Sequence, residues 1–246
     1  MRMPKQKMSF SETICRFPTC AADIEAGQNH LGRMHSMNEI TWRIFRIMAE
    51  FVDGFQFLSA SKKEVTVLGS ARLKSGSKWC IEAETFGKLC AKGGFTIITG
   101  GGPGIMEAAN KGAYESGGES LGLNIQLPME QRANPYLTRG KGFHYFFTRK
   151  VMLSASAQAY IFFPGGFGTL DELFEMVVLV QTGKMQTTPI VVVGRDYWTP
   201  LVSWMRETLA REYETIHEED LGIITIVDSA KEAWEIVRKS KEREMF

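Results

Sequence analysis

The sequence predicts an α/β fold with a doubly wound, mostly parallel sheet in a single domain, preceded by an N-terminal helical extension. Two observations carry this. From residue 64 onward, short continuous apolar runs rich in β-branched residues alternate with helical patterns, as expected of strands buried on both faces. Two glycine-rich stretches, "TGGGPGIMEA" (99–108) and "PGGFGTLDE" (164–172), each lie between such a run and a helix, where a Rossmann-like sheet turns from strand to helix.

Taken in order, residues 1–36 are mixed, methionine-rich and without clear period, and are expected to form a poorly ordered or partner-covering arm. The rest, 37–246, is expected to be the Rossmann-like nucleotide-binding domain with a leading helix. In that helix Ile40, Ile44, Ile47, Met48, Phe51 and Val52 recur at helical spacing, a stripe suited to docking on the main domain or on a partner subunit. "EVTVLGS" reads as a strand and "SKWCIEAETFGKLCAKGG" as a helix stopped by Gly93 and Gly94. "FTIITGGG" is a strand and "GIMEAANKGAYESGG" a helix. "SLGLNIQL", "GFHYFF", "AYIFFPGG", "PIVVVG" and "GIITIVD" complete the strands, and "SAKEAWEIVRKSKEREMF" closes the chain as a helix with a solvated end.

Composition excludes several classes. With 246 residues, 44% of them apolar, the chain can bury a full core. A net charge of +1 gives no basic field for nucleic acid or anionic membrane. No apolar run is long enough to span a bilayer, and the N-terminus lacks an apolar signal core, so a cytoplasmic protein is expected. Four cysteines are too few for a disulfide framework; Cys80 and Cys90 fall in a helical pattern as packing residues. Cys15, Cys20, His30 and His35 offer two thiols and two imidazoles, but their spacing does not match a zinc finger, and no metal is expected.

In a doubly wound sheet, ligands bind beyond the carboxyl ends of the strands. The informative segments are therefore "GSAR" (69–72), the two glycine loops, "QLPMEQR" (126–132) and "FFTRK" (146–150). Backbone amides at a helix start favour phosphate or carboxylate, and glycine permits close approach. Neither loop fits the dinucleotide pattern: its third glycine is replaced by Glu107 in one and Asp171 in the other. Neither ends in the Gly-Lys-Ser/Thr of a P-loop. A single phosphate, as in a nucleoside monophosphate, is the natural cargo. With Thr148 as a cap, Arg149 and Lys150 would occupy a first helical turn, where cations oppose the dipole unless an anion is near.

Asp171 and Glu172 beside an anion site pose the central question. With Thr169 as N-cap, Glu172 is the third helical residue and completes a capping box. Helical spacing puts Leu170, Leu173, Phe174, Val177 and Val178 on the core face, leaving Glu172 either solvated or lining a cleft. A carboxylate so close to a phosphate is reconciled if a sugar carbon between them gains oxocarbenium character in the transition state.

"PGGFGTLDE" resembles the P-G-G-x-G-T-x-x-E signature of the LOG (lonely guy) proteins, often labelled possible lysine decarboxylases. Arg149-Lys150, "GGGPGIMEAANKGA" and "GSAR" are similar to other elements of that family over roughly 64–228, and the longer N-terminus and "FHYFFTRKVM" resemble its larger bacterial branch. The resemblance implies a nucleoside 5′-monophosphate phosphoribohydrolase acting on AMP or on cytokinin riboside 5′-monophosphate, with no cofactor. It implies Arg149 and Glu172 as the catalytic pair. Gly165, Gly166, Gly168 and Thr169 would cradle phosphate with Ser70 assisting; Gly101, Gly102, Met106, Glu107 and Lys150 would flank the nucleotide. It implies a homodimer, or a higher homo-oligomer, with the site near the subunit interface. Phe147-Thr148 replaces the His-Glu of compact members, which leaves the preferred base open.

A lysine decarboxylase would need an electron sink such as pyridoxal phosphate on a Schiff-base lysine. Lys150 is the one lysine at the expected site, with a pKa that Arg149 could lower; no cofactor signature accompanies it. The alternative is a non-catalytic nucleotide or cofactor carrier of the same fold, which has no use for Glu172 beyond the cap. The connection 127–142 is long enough to be a lid, from which Arg132 or Arg139 could reach ligand. His144 is expected among core aromatics and His217 in an exposed acidic stretch.

Overall fold

The computed structural model describes residues 37–126, 133–155 and 157–242. Seven strands form one sheet: β1 (Glu64–Leu68), β2 (Thr96–Thr99), β3 (Ser120–Ile125), β4 (Arg139–Phe143), β5 (Ala159–Phe162), β6 (Ile190–Val193) and β7 (Ile224–Val227). Their order is β4-β3-β2-β1-β5-β6-β7, and every pairing is parallel. The chain thus winds outward from β1 to β4, then returns to start again at β5 on the other side of β1. That reversal makes the carboxyl ends of β1 and β5 the switch point. In register, Val65 lies beside Ile97 on one side and Ala159 on the other.

The helices are α1 (Met37–Leu58), α2 (Lys78–Lys92), α3 (Ile105–Glu115), α4 (Phe146–Ala155), α5 (Phe167–Gln181), α6 (Arg195–Trp204) and α7 (Ala230–Val237). They cover both faces because strand side chains alternate. Val65, Val67, Ile97, Ile161 and Val191 face α2, α3 and α7. Ile98, Leu121, Leu123, Tyr160, Phe162 and Val192 face the opposite way, onto α4, α5 and Phe51, Phe55, Phe57 and Leu58 of α1. Cys80 and Cys90 are buried packing residues of α2. Residues 51–246 form one compact unit, and 37–50 belong to another. Along the latter, Ile40, Ile44 and Met48 are exposed, and Trp42 and Phe45 meet edge to face. Among the described residues no helix is long and apolar enough to cross a membrane.

Several expected boundaries move. "GFHYFF" is not a strand: β4 is "RGKGF", and Phe146 already begins α4. Its glycines allow β4 to lie at the sheet edge on β3, while the Thr148 hydroxyl bonds back to the Tyr145 carbonyl at 2.8 Å within the first turn. Thr148 is therefore inside the helix and not its cap, and Arg149 and Lys150 are its fourth and fifth residues. His144 sits at the bend before α4 and is exposed, not a core residue; His217 is exposed as expected. The last helix ends at Val237. Beyond it the chain turns back, and Gln158 Nε2 donates to the Ser240 carbonyl and hydroxyl at 3.0 and 2.8 Å. The expected arm 1–36, its Cys15, Cys20, His30 and His35, and Arg132 lie outside the described residues. Arg139 does not reach toward ligand: it bonds Glu119, the Phe57 carbonyl and Ser61. Asn134, also within the expected lid, is buried and bonded to the first glycine loop.

Two helices on the first face approach unusually closely, and the sequence supplies small residues for it. A Cβ at Gly87 of α2 would lie 2.2 Å from the Ala109 carbonyl, and one at Gly112 of α3 would lie 2.0 Å from the Glu84 carbonyl. Because backbone cannot yield as a flexible side chain can, Gly112→Ala should destabilise the fold by about 1–3 kcal/mol, measurable by urea unfolding.

Candidate active site

The switch point is tied together through one residue. Ser70, two positions past β1, donates its amide to the Pro164 carbonyl of the second glycine loop at 3.1 Å. Its own carbonyl accepts from the amide of Ile105, the first residue of α3, at 3.1 Å. Its hydroxyl accepts from the Arg72 amide at 3.0 Å. Gly104, at φ 71°, is what permits this approach: a Cβ there would sit 2.4 Å from the Ser70 carbonyl oxygen.

The two glycine loops are built differently. The first is braced from beneath. Gly101 gives its amide to the Thr99 hydroxyl at 2.8 Å, and its carbonyl accepts from the Asn134 amide. Asn134 Nδ2 reaches both the Gly102 carbonyl and Asn110, which also bonds Thr99 and Ser120. These buried polar groups form a connected network, which holds a loop in one conformation. Against this loop lies Arg149: a Cβ at Gly100 would fall 2.4 Å from its Nη2 and 2.8 Å from the Met106 sulfur. Gly100 is thus a site residue the sequence reading did not single out, although it stands in the quoted loop. Glu107 lies in the first turn of α3, half-buried.

The second loop is open. Gly166 is the N-cap of α5, so Thr169 is its third residue and not the cap; no side chain caps this helix. The Thr169 side chain is buried against the Gly165 α-carbon, and the Gly165 carbonyl accepts from the Tyr197 hydroxyl of α6. A Cβ at Gly166 or Gly168 would meet nothing within 4 Å. Between them Phe167 is 92% exposed. Helix geometry leaves the first amides of α5 without intrahelical acceptors, and they face this space with the positive end of the dipole.

With the helix starting at Phe167, Glu172 is its sixth residue, and the capping-box reading fails. Leu173 and Met176 face the core with Thr169, whereas Val178, expected there, is 50% exposed. Glu172 instead turns into the cleft between α4 and α5. Its side chain is 17% exposed, and its Oε1 lies 3.9 Å from Arg149 Nη2, itself 12% exposed. That distance is an ion pair but too long for a hydrogen bond. Arg149 is fixed by its Nε, which donates to the Leu123 carbonyl of β3 at 2.7 Å. Burial pushes the Glu172 carboxyl up to about 7 against the opposing pull of Arg149, and Asp171 adds to the rise. Burial lowers the Arg149 guanidinium, with Glu172 acting the other way.

Lys150 is directed away from this pair. Its ammonium meets Asp171 at 2.9 Å and Glu175 at 3.2 Å on α5. Burial pulls it down, but these carboxylates outweigh that and leave its pKa raised. The lowering by Arg149 expected for a Schiff-base lysine does not occur, because two anions lie closer than the cation's influence can offset.

This fold and this site define a class of chain with an open helix start and a buried acid–guanidinium pair at the switch point. The chain belongs to the family described as possible lysine decarboxylase, the LOG family, whose model matches residues 106–237. It is 27% identical over 156 residues to the cytokinin riboside 5′-monophosphate phosphoribohydrolase of Rhodococcoides fascians, covering 62% of this chain and 79% of the relative. It is 29% identical over 180 residues to the enzyme of that name, LOG, from Oryza sativa subsp. japonica, covering 71% and 70%. In fold it is similar to the molybdenum cofactor carrier protein of Chlamydomonas reinhardtii, with a TM-score of 0.52, 20% identity, and 72% and 97% of the two chains covered.

The raised carboxyl has a thermodynamic consequence. Between its ordinary 4.5 and about 7, the folded state binds a proton that the unfolded state has released. Its contribution to stability is therefore complete below 4.5 and lost as pH rises through 7, by at most about 3 kcal/mol. Denaturant unfolding at pH 5 and pH 8 should show this loss in the wild type and a flatter dependence in Glu172→Gln.

Proposed function

We propose that the chain is a nucleoside 5′-monophosphate phosphoribohydrolase, cleaving the N-glycosidic bond of AMP or a cytokinin riboside 5′-monophosphate to free base and ribose 5-phosphate. The observation that carries the reading is the state of Glu172: a nearly buried carboxylate, 3.9 Å from one guanidinium, that accepts no hydrogen bond from any described residue. A group kept so costs stability when ionised, and the cost is offset when positive charge appears beside it. Phosphate on the amides of Gly166, Phe167, Gly168 and Thr169 would set the ribose between loop and carboxylate. Glu172 would then stabilise the oxocarbenium-like carbon and orient water, while Arg149 holds the carboxylate ionised and fixes the sugar. Gly165 and Ser70 shape the phosphate loop, and Gly101, Gly102, Met106, Glu107 and Lys150 would border the nucleotide. The names of the relatives support the same bond being broken. The chain would act as a homodimer without a cofactor, in the cytoplasm.

A carrier of the same fold would bind nucleotide without needing this carboxylate. Glu172→Gln should therefore lower base release from AMP by about a hundredfold or more while calorimetry finds nucleotide affinity retained; unchanged turnover would leave the carrier reading. In the wild type kcat/KM should rise with pH and level off above about 7 as Glu172 ionises. Arg149→Gln should move that limb to higher pH, since Arg149 opposes the rise.

The open space over the second loop gives a separate expectation. Gly166→Ala and Gly168→Ala should change stability by less than about 1 kcal/mol yet weaken ribose 5-phosphate binding in calorimetry, because the added methyl occupies space this chain does not fill.

A further inference from the structure

The amides of α5 supply only partial positive charge to a phosphate dianion, and the carboxylates of Asp171, Glu172 and Glu175 lie on the same helix. A full cation would add to that charge, and most of those near the switch point are already engaged. Among the described residues, the cations on the loops and first helical turns beyond β1 to β6 are Arg72, Lys74, Lys78, Arg149, Lys150 and Arg195. Arg149 is held by the Leu123 carbonyl and Glu172, and Lys150 by Asp171 and Glu175. Arg195 pairs with Asp228 at 3.1 Å. Lys78 lies over the Trp79 ring, 4.3 Å from its centroid; of Arg72 and Lys74, which remain, Arg72 is the one joined to the point where the loops meet. Its amide bonds the Ser70 hydroxyl, and Ser70 bonds both Pro164 and Ile105. Two residues of chain place it within about 7 Å of Ser70. The side chain is exposed, and no carboxylate among the described residues pairs with it.

We propose that Arg72 is a substrate-binding residue: its guanidinium clamps the phosphomonoester that the α5 amides hold, and so selects nucleoside 5′-monophosphates over nucleosides. The assignment rests on the proposed phosphate site and deepens it. A planar guanidinium offers paired donors to phosphate oxygens. Arg72 stands on the β1 loop, a different element from the helix of Glu172, whose carboxylate Arg149 already serves. Ser70 then has a second role, because its hydroxyl fixes the backbone from which Arg72 extends.

The test uses the full chain, with ribose 5-phosphate and ribose as calorimetric probes and AMP as substrate. Arg72→Ala should weaken ribose 5-phosphate binding by about ten- to a hundredfold, with Arg72→Lys intermediate and Lys74→Ala unchanged. KM for AMP should rise in parallel while kcat is largely kept. Thermal unfolding should match the wild type, since Arg72 is exposed. Wild-type affinity for ribose 5-phosphate in Arg72→Ala, or no binding of ribose 5-phosphate by the wild type, overturns the assignment. A wild type that binds ribose 5-phosphate through Arg72 but releases no base from any nucleoside monophosphate overturns the hydrolase reading and leaves the clamp standing.

Discussion

A carboxylate in a nearly dry cleft, with a guanidinium at 3.9 Å and no hydrogen bond from any described residue, constrains everything around it. Such a pair cannot be held by its own attraction, which at that separation must compete with the loss of hydration on both sides. It is held by the frame. Arg149 is pinned by the Leu123 carbonyl of β3 and laid on the α-carbon of Gly100, while Glu172 is carried in on α5. The result is a group whose proton leaves near neutral pH, about 7, where an ordinary carboxylate would be fully ionised.

The glycine loops divide the labour. The loop after β2 is braced internally: Thr99, Asn110, Ser120 and Asn134 bond one another and the carbonyls of Gly101 and Gly102. It is a rigid wall against which Arg149 and Met106 rest. The loop after β5 is left open above Gly166 and Gly168, with the amides of an uncapped helix beneath. Ser70 joins the two by main-chain bonds, so the wall and the open helix start keep a fixed separation. A catalytic geometry needs that kind of fixity, because an error of an ångström in placement is costly.

Much of this was legible in the residues. Continuous apolar strands such as "AYIFF" and "PIVVVG" can only be buried on both faces, so the parallel sheet followed from hydrophobicity and length. Arg149 and Glu172 lay in segments marked by expected strand ends, and the resemblance to the LOG family named them as a pair. The misreadings have a common origin in helix starts. "GFHYFF" carries β-favouring aromatics, yet Phe146 and Phe147 begin α4, since local propensity yields to the crossover that must return the chain from β4 to β5. Thr169 has the chemistry of a cap but is buried under Gly165, leaving Gly166 as cap and moving Glu172 from the third position to the sixth. Gly100, Tyr197 and Asn134 went unnoticed because their partners are distant in sequence: 49, 32 and 32 residues separate Gly100 from Arg149, Tyr197 from Gly165 and Asn134 from Gly102.

By itself the sequence determined the fold class, most of the succession of strands and helices along the chain, and the two loops suited to an anion. These depend on residue type and spacing within one strand–loop–helix unit, and a local pattern encodes them. Only the tertiary structure decided that Glu172 is desolvated, that Lys150 serves Asp171 and Glu175, that one loop is braced from beneath and the other open, and that no acid among the described residues pairs with Arg72. Each of those is a property of what surrounds a side chain, set by burial and by charges brought in from other elements.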